Sequence, residues 1–485
     1  MAGDADVVVV GSGPNGLAAA IRLADEGMKV LVLERSAQPG GGVHSAELTR
    51  PGFVHDVCAS VFPLGIGSPW LSRLGLEAHG LEWVQPDVPL AHPLDGGRAA
   101  FLERSVEATV SRFGVDAKPY ASLMGDLAEH FPSLMQDLLG PIRLPRHPFL
   151  AARFGMRALR SASSLAKTRF ESEEVRALFA GNAGHALLPL DRPATAAFAM
   201  MLCAAAHAVG WPFARGGASS LGMALVRRLR AAGGEVETGV DVLSLEQLRP
   251  YGARALVLDV TSRQFLALAG DALPSRYRKQ LEAMRYTMGA FKVDWALSEP
   301  IPWTNSDCRR AGTLHVGGTL DEIVASEHCA ANNIRTDRPF TLVTQPSLFD
   351  PSRAPAGMHT AWAYCHVKAH STHDMTAAIE SQIERFAPGF RDTILERSVL
   401  FPADLERLNP NLWGGAITGG DNDLGQLYFR PARRLDPYTT PLNGVYLCSA
   451  STPPGGGVHG MCGWHAAGAV LRRLGQSPSA SMTSE

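Results

Sequence analysis

Of the seven cysteines, at 58, 203, 308, 329, 365, 448 and 462, no two form a C-x-x-C pair, and their number is odd. That argues against a disulfide framework and predicts the reduced thiols of a cytosolic protein, with no metal site. Net charge is also missing, at −2 over 485 residues. Global electrostatics therefore gives no reason to expect nucleic acid or an acidic substrate as partner. Long hydrophobic runs are absent too: the longest uncharged apolar stretch, 194–209, falls short of the roughly 20 residues that span a bilayer and reads as a buried helix. The opening residues MAGDAD carry no basic region followed by an apolar core, so no secretory signal is expected. With 46% hydrophobic and 19% charged residues, the composition is that of a globular chain long enough for two or three domains.

What is present is concentrated first in residues 6–34, DVVVVGSGPNGLAAAIRLADEGMKVLVLE. Val7 to Val10 are an apolar run suited to a strand buried on both faces. Gly11, Gly13 and Gly16 follow in the spacing G-x-G-x-x-G, which permits a tight turn, close approach of backbone to a pyrophosphate, and close packing of helix on strand. Leu17 to Ala24 predict a helix whose N-terminal N–H groups face the phosphates, and Gly27 ends it. A second strand, Met28 to Leu33, leads to Glu34, a carboxylate placed to accept hydrogen bonds from a ribose and to repel a 2′-phosphate, which disfavours NADP. Gly11, Ser12, Gly13, Pro14, Asn15, Gly16 and Glu34 are thus candidate dinucleotide-binding residues. A plain βαβ unit is the bland alternative.

Arg35, Pro39, Gly40, Gly41 and Gly42 continue the acid as E-R-x-x-x-P-G-G-G, which resembles the second signature of flavoproteins with the glutathione-reductase-like FAD fold. That resemblance implies FAD, with Arg35, Gly41, Gly42 and Val43 added to the binding set. A second glycine loop, Gly455 to Gly457, lies between a strand at Val445 to Cys448 and a helix starting near Gly460. The helix end it offers would stabilise negative charge on a reduced cofactor ring. The motifs VVVVGSGPNGLAAA, ARALVLDVTSRQFLALAG, FKVDWAL, QPSLFDPSRAPAG, ERFAPGF and YLCSASTPPGGGVHGMCGWHAA together resemble the phytoene desaturase-like family of FAD-dependent oxidoreductases, and within it the branch holding pyridine nucleotide-disulfide oxidoreductase domain-containing protein 2.

The family implies an α/β fold: a glutathione-reductase-like FAD-binding Rossmann domain, with an inserted α+β substrate domain and helical region. The expected FAD domain is discontinuous, at 1–70, 211–285 and 400–475. A helical or lid region at 71–210 and a mostly antiparallel sheet at 286–399 form the substrate domain, and 476–485 is a disordered tail. The resemblance also implies that Val240 meets the adenine and that Ser451, Gly457, Val458, His459, Gly460 and Met461 meet the flavin. Gly42 stands where carotenoid desaturases carry arginine, and His459 where many carry an apolar residue. Neither the redox disulfide C-x-x-x-x-C nor a second nicotinamide-binding fingerprint is present.

The expected activity is removal of hydride from a hydrophobic, isoprenoid- or lipid-like substrate, with electrons passed to oxygen or a quinone. An amine-oxidase-like enzyme, a redox-neutral flavin isomerase and a non-catalytic flavin-stabilised interaction protein remain open. His459 is the candidate catalytic residue. It reads either as structural or as a neutral imidazole, held so by the adjacent helix dipole, that accepts a proton. Asp56 reads as a turn or cap residue or as part of the site. The glycine-rich stretch 409–423 is either a loop over the site or a connector. Between 141 and 170 stand Arg143, Arg146, Arg153, Arg157, Arg160, Lys167 and Arg169, with no acidic residue and with apolar side chains interleaved. This segment reads as a solvated or subunit-facing basic surface, or as a peripheral membrane contact. Oligomeric state is not legible.

Overall fold

The computed structural model describes residues 5–475, so the tail expected at 476–485 lies outside the described residues. Five parallel strands form one sheet in the order Val445–Leu447, Ala255–Leu258, Val7–Val10, Val30–Glu34 and Glu235–Thr238. Val7–Val10 is central and pairs with Ala255–Leu258 on one side and Val30–Leu33 on the other. Its valines are buried on both faces, which explains an unbroken apolar run where a half-buried strand would alternate. Val7 and Val9 pack with helices Pro14–Asp25, Ala218–Ala231 and Met461–Arg473. Val8 and Val10 pack with Ser262–Ala269 and Ser275–Glu282 on the other face. The first and last helices lie so close that a methyl group on Gly463 would collide with the Asn15 carbonyl oxygen.

A seven-stranded sheet follows the order Ile394–Leu400, Met288–Leu297, His359–Lys368, Thr341–Thr344, Ala311–Val316, Val88–Pro93 and Ala99–Leu102. All neighbours are antiparallel except Ala311–Val316 and Val88–Pro93. The last two strands correct the expectation that 71–210 is helical. Val88–Pro93 is buried on both faces and holds two prolines, so it shows neither period-2 alternation nor ordinary strand composition. On one face Phe291, Val293, Trp295 and Leu297 join Ala361, Ala363, Ile379 and Ile383 in an apolar cluster. By alternation Lys292, Asp294, Trp362, Tyr364 and His366 stand on the other.

The rest of 71–210 is mainly helical, including Ala117–Glu129, Pro148–Ala158, Ala162–Arg169 and Glu173–Gly184. These pack around Thr195–Ala208, the alanine-rich stretch read as a buried helix. Its small side chains let neighbouring helices approach closely. Among the described residues no helix is long and apolar enough to cross a membrane.

Candidate functional site

The first glycine turn has φ +95° at Gly11, a conformation that side chains rarely adopt. Gly13 is the N-cap of the first helix and makes no side-chain cap; Pro14, which has no N–H, opens it, and the Gly16 N–H is given to Asp259, so the Asn15 N–H is the first-turn donor left to meet an anion. A Cβ on Gly13 would lie 2.5 Å from Asp259 Oδ2, one on Gly41 would lie 2.8 Å from Gly13 Cα, and one on Gly16 would collide with the Gly11 carbonyl. Glu34 organises the loop around this turn. Its Oε2 accepts from the Ser12 N–H at 2.9 Å and the Ser12 hydroxyl at 2.6 Å, while Oε1 accepts from the Ser36 N–H at 2.8 Å. Gly40 N–H donates to Ser12 Oγ at 3.1 Å, tying the second glycine run to the first.

A cleft of about 500 Å³ runs from this turn to the C-terminal glycine loop. Of the residues predicted from sequence, Gly11, Gly13, Pro14, Asn15, Glu34, Arg35, Gly41, Gly42, Val240, Gly457 and Val458 line it. Ser12, Gly16, Val43, Ser451, His459, Gly460 and Met461 lie behind the wall. Val240 reaches the cleft with its N–H already engaged by the Glu34 carbonyl at 2.9 Å. Val242 lines the same wall, and its backbone makes no hydrogen bond among the described residues.

Asp259 was missed by sequence reasoning. It is buried at the end of strand Ala255–Leu258, lines the cleft and accepts the Gly16 N–H at 2.9 Å. Burial raises its carboxyl to about 7, opposed by the Gly16 N–H and reinforced by Glu34. A carboxyl raised this way favours the folded state fully below its unfolded value near 4, and that contribution fades as pH climbs through 7. Asp259→Asn, which mimics the protonated form, should therefore flatten the stability profile between about pH 4 and 7. Thermal unfolding across that range checks it, and an unchanged slope would show that Asp259 ionises freely.

The stretch 409–423 is a loop over the site: Asn409, Asn411, Ile417 and Gly419 line the cleft. Asn411 accepts the Thr261 N–H at 2.9 Å and donates to the Asp259 carbonyl at 2.8 Å. Buried Arg430 pins this loop to the C-terminal one, donating at 3.0 Å to both the Thr418 and Ala450 carbonyls. Val458 has φ +55°, a strained conformation for a β-branched residue, at the cleft wall.

His459 is buried beneath that loop. Its Nδ1 accepts the Met461 N–H at 3.0 Å at the start of the last helix, and its carbonyl accepts from Ser68 Oγ at 2.7 Å. Burial lowers its imidazole to about 4, so it is neutral, as expected, but it does not face the cleft. Asp56 is a cap: Oδ1 accepts the Ala218 N–H at 2.8 Å at the head of helix Ala218–Ala231, and Oδ2 pairs with buried Arg353 at 3.0 Å.

At the substrate-domain end, Lys292 donates to both carboxylate oxygens of Asp294 and lies 5.5 Å from the Trp362 ring centre. The pair is buried, and its charges act on Cys58 in the cleft wall. Burial together with Lys292 and Arg353 lowers His55 to about 3, so His55 sits neutral 3.5 Å from Asp294. Ile417 carries the cleft wall into an apolar cluster of Leu187, Met288 and Ala330.

The family described as an NAD(P)-binding Rossmann-like domain matches residues 9–74. Pyridine nucleotide-disulfide oxidoreductase domain-containing protein 2 of Mus musculus is 26% identical, with 97% of this chain and 94% of that protein aligned. Phytoene desaturase (lycopene-forming) of Pantoea ananas is 24% identical over 94% of this chain and 96% of its own length. Putrescine oxidase bound to putrescine has a similar fold, with a TM-score of 0.60 at 17% identity, covering 97% of this chain and 99% of that one. The fold and cleft are those of a Rossmann-type oxidoreductase with an inserted substrate domain. The chain is a relative, along nearly its whole length, of the phytoene desaturase-like oxidoreductases.

Proposed function

We propose that the cleft holds FAD and that the chain is an FAD-dependent dehydrogenase, taking hydride from a hydrophobic, isoprenoid- or lipid-like substrate and passing electrons to oxygen or a quinone. The observation that carries this reading is the convergence of two glycine turns, Glu34 and the N-terminus of helix Pro14–Asp25 on one cleft. The cradle also fits a pyrophosphate, because a Cβ at Gly13 or Gly41 would fill space pressed against backbone or Asp259. FAD bound there would supply the hydride acceptor.

The chain's own residues divide the work. The Asn15 N–H and the positive end of helix Pro14–Asp25 receive the pyrophosphate, and the raised Asp259 carboxyl, at about 7, carries less negative charge beside it than an ordinary carboxylate would. Glu34 has both oxygens engaged by the loop, and its remaining acceptor capacity serves a ribose. Val242, not Val240, has the free backbone edge for an adenine. The 455–458 loop closes the other end, beside Ile417. His459 lies outside this arrangement and serves the last helix as a cap.

Purified protein should be yellow and release one FAD per chain on denaturation, read by chromatography of the supernatant. Release of FMN, or colourless protein that rejects added FAD, would overturn the proposal. NADH and NADPH should reduce the bound flavin poorly, since no second fingerprint is present; rapid saturable bleaching in stopped flow would reveal a nicotinamide site.

A further inference from the structure

Of the described histidines, His44 alone lines the cleft, where the other titratable side chains are Glu34, Arg35, Cys58, Asp241 and Asp259. Most of these are committed. Glu34 holds the Ser12 turn, Asp259 accepts the Gly16 N–H, and Arg35 donates to the Leu408 carbonyl at 3.3 Å. Burial pushes the Cys58 thiol up to about 11, so it neither gives nor takes a proton near neutral pH. Asp241 is exposed and adjoins Val242, on the wall assigned to the adenine. The His44 side chain is half-buried and makes no hydrogen bond or ion pair among the described residues.

Its backbone, by contrast, is firmly tied. The His44 carbonyl accepts the Val57 N–H at 2.8 Å, and the next two residues pair antiparallel, Ser45 with Asp56 and Ala46 with His55. The Ser45 N–H donates to Ser219 Oγ at 2.7 Å. The partner strand is stitched to the substrate domain: Asp56 pairs with Arg353, the Val54 N–H donates to the Arg353 carbonyl at 2.9 Å, and His55 lies 3.5 Å from Asp294. Cys58, just beyond, feels the charges of Lys292 and Asp294. His44 therefore stands on the stretch of cleft wall that adjoins the substrate domain, where a hydride must cross from substrate to cofactor. The charged groups around this ribbon neutralise one another, Asp56 with Arg353 and Lys292 with Asp294, while His55 is neutral. Burial alone holds the His44 imidazole below the ordinary 6.5, so near neutral pH it carries a free lone pair.

We propose that His44 takes and stores the proton released when the substrate is desaturated. This rests on FAD occupying the cleft. Two adjacent C–H bonds break: one electron pair leaves with the hydride to the cofactor, the other becomes the new carbon–carbon double bond, and the remaining proton binds the His44 imidazole. The imidazolium is stabilised by the negative charge gained on the reduced ring, an opposite charge present only in that state. When oxygen or a quinone withdraws two electrons, it takes this proton together with the hydride's hydrogen, giving hydrogen peroxide or a quinol, and His44 returns to neutral.

The coupling can be read without knowing the substrate, from the midpoint potential of the holoenzyme equilibrated with reference dyes between about pH 5 and 8. Linkage fixes the sign. Reduction raises the affinity of His44 for a proton, so above the pH at which the oxidised protein's imidazole becomes neutral, the potential should fall with the slope of two protons per two electrons, one for the ring and one for His44. His44→Gln should retain FAD and show the slope of one proton, a twofold difference. His44→Asn is read beside it, so that a glutamine crowding the cofactor does not decide the result. A one-proton slope in the wild type at every pH would overturn the proposal without any variant, as would a two-proton slope that survives in both variants. Either result leaves FAD in the cleft, whereas protein that binds no FAD is recognised beforehand by its lack of colour and removes both readings.

Discussion

Gly16→Ala is expected to give protein that retains little or no dinucleotide. The added methyl would collide with the Gly11 carbonyl and lie 3.1 Å from Asp259 Oδ2. Backbone cannot rotate away as a side chain can, so the turn itself must open. Forced overpacking costs about 1–3 kcal/mol, and loss of the Gly16 N–H bond to a buried carboxyl costs a further ~1–3 kcal/mol. If opening the turn is what abolishes the cradle, affinity should fall on the order of 10²–10⁴-fold. Gly13→Val is also unfavourable, but its clash is with the Asp259 side chain, which has some freedom to move. Gly125→Ala is the control, because a Cβ there meets open space and the residue, in helix Ala117–Glu129, does not line the cleft. Titration of FAD into apoprotein reads all three. Wild-type affinity in Gly16→Ala would mean that the cofactor is held elsewhere.

Features carried by contiguous residues were legible in the sequence. The βαβ unit at 7–34 could be read because its strand, turn, helix and acid each have a local signature, and the structure places them in register. The buried helix at 195–208 was legible from composition alone. Features that depend on chain distance were not. Asp259 is 243 residues from the Gly16 N–H that it accepts, and nothing in VLDVTS marks its aspartate as part of a glycine turn. Sequence cannot tell that the Glu34 carbonyl captures the Val240 N–H, which is why Val242 is the valine proposed for the adenine. The strands at 88–93 and 99–102 escaped because prolines and two-sided burial erase alternation, and their place in the sheet is set by pairing with residues 311–314. His459 was assigned to the ring because it lies in the glycine loop leading into the last helix; the side chain turns back to the Met461 N–H.

Asp294→Ala is expected to destabilise the protein by about 3–5 kcal/mol, the cost of leaving one partner of a buried ion pair uncompensated. Lys292 and Asp294 have side chains 5% and 0% exposed, so water cannot replace the lost carboxylate. Nor can the neighbours: His55 is neutral, and Arg353, already paired with Asp56, would add repulsion. The surviving ammonium would have only the Trp362 face, a weaker partner worth about 0.5–2 kcal/mol. The double variant Lys292→Met with Asp294→Leu removes both charges at similar volume and should recover most of the loss, as buried pairs often tolerate apolar replacement. Urea denaturation of the three proteins separates these outcomes. If the single variant stays within about 1 kcal/mol of wild type, the pair is solvated and behaves as a surface bridge. If the double variant is stable but its bound flavin is reduced more slowly by substrate, the charges beside Cys58 serve the reaction and not the fold.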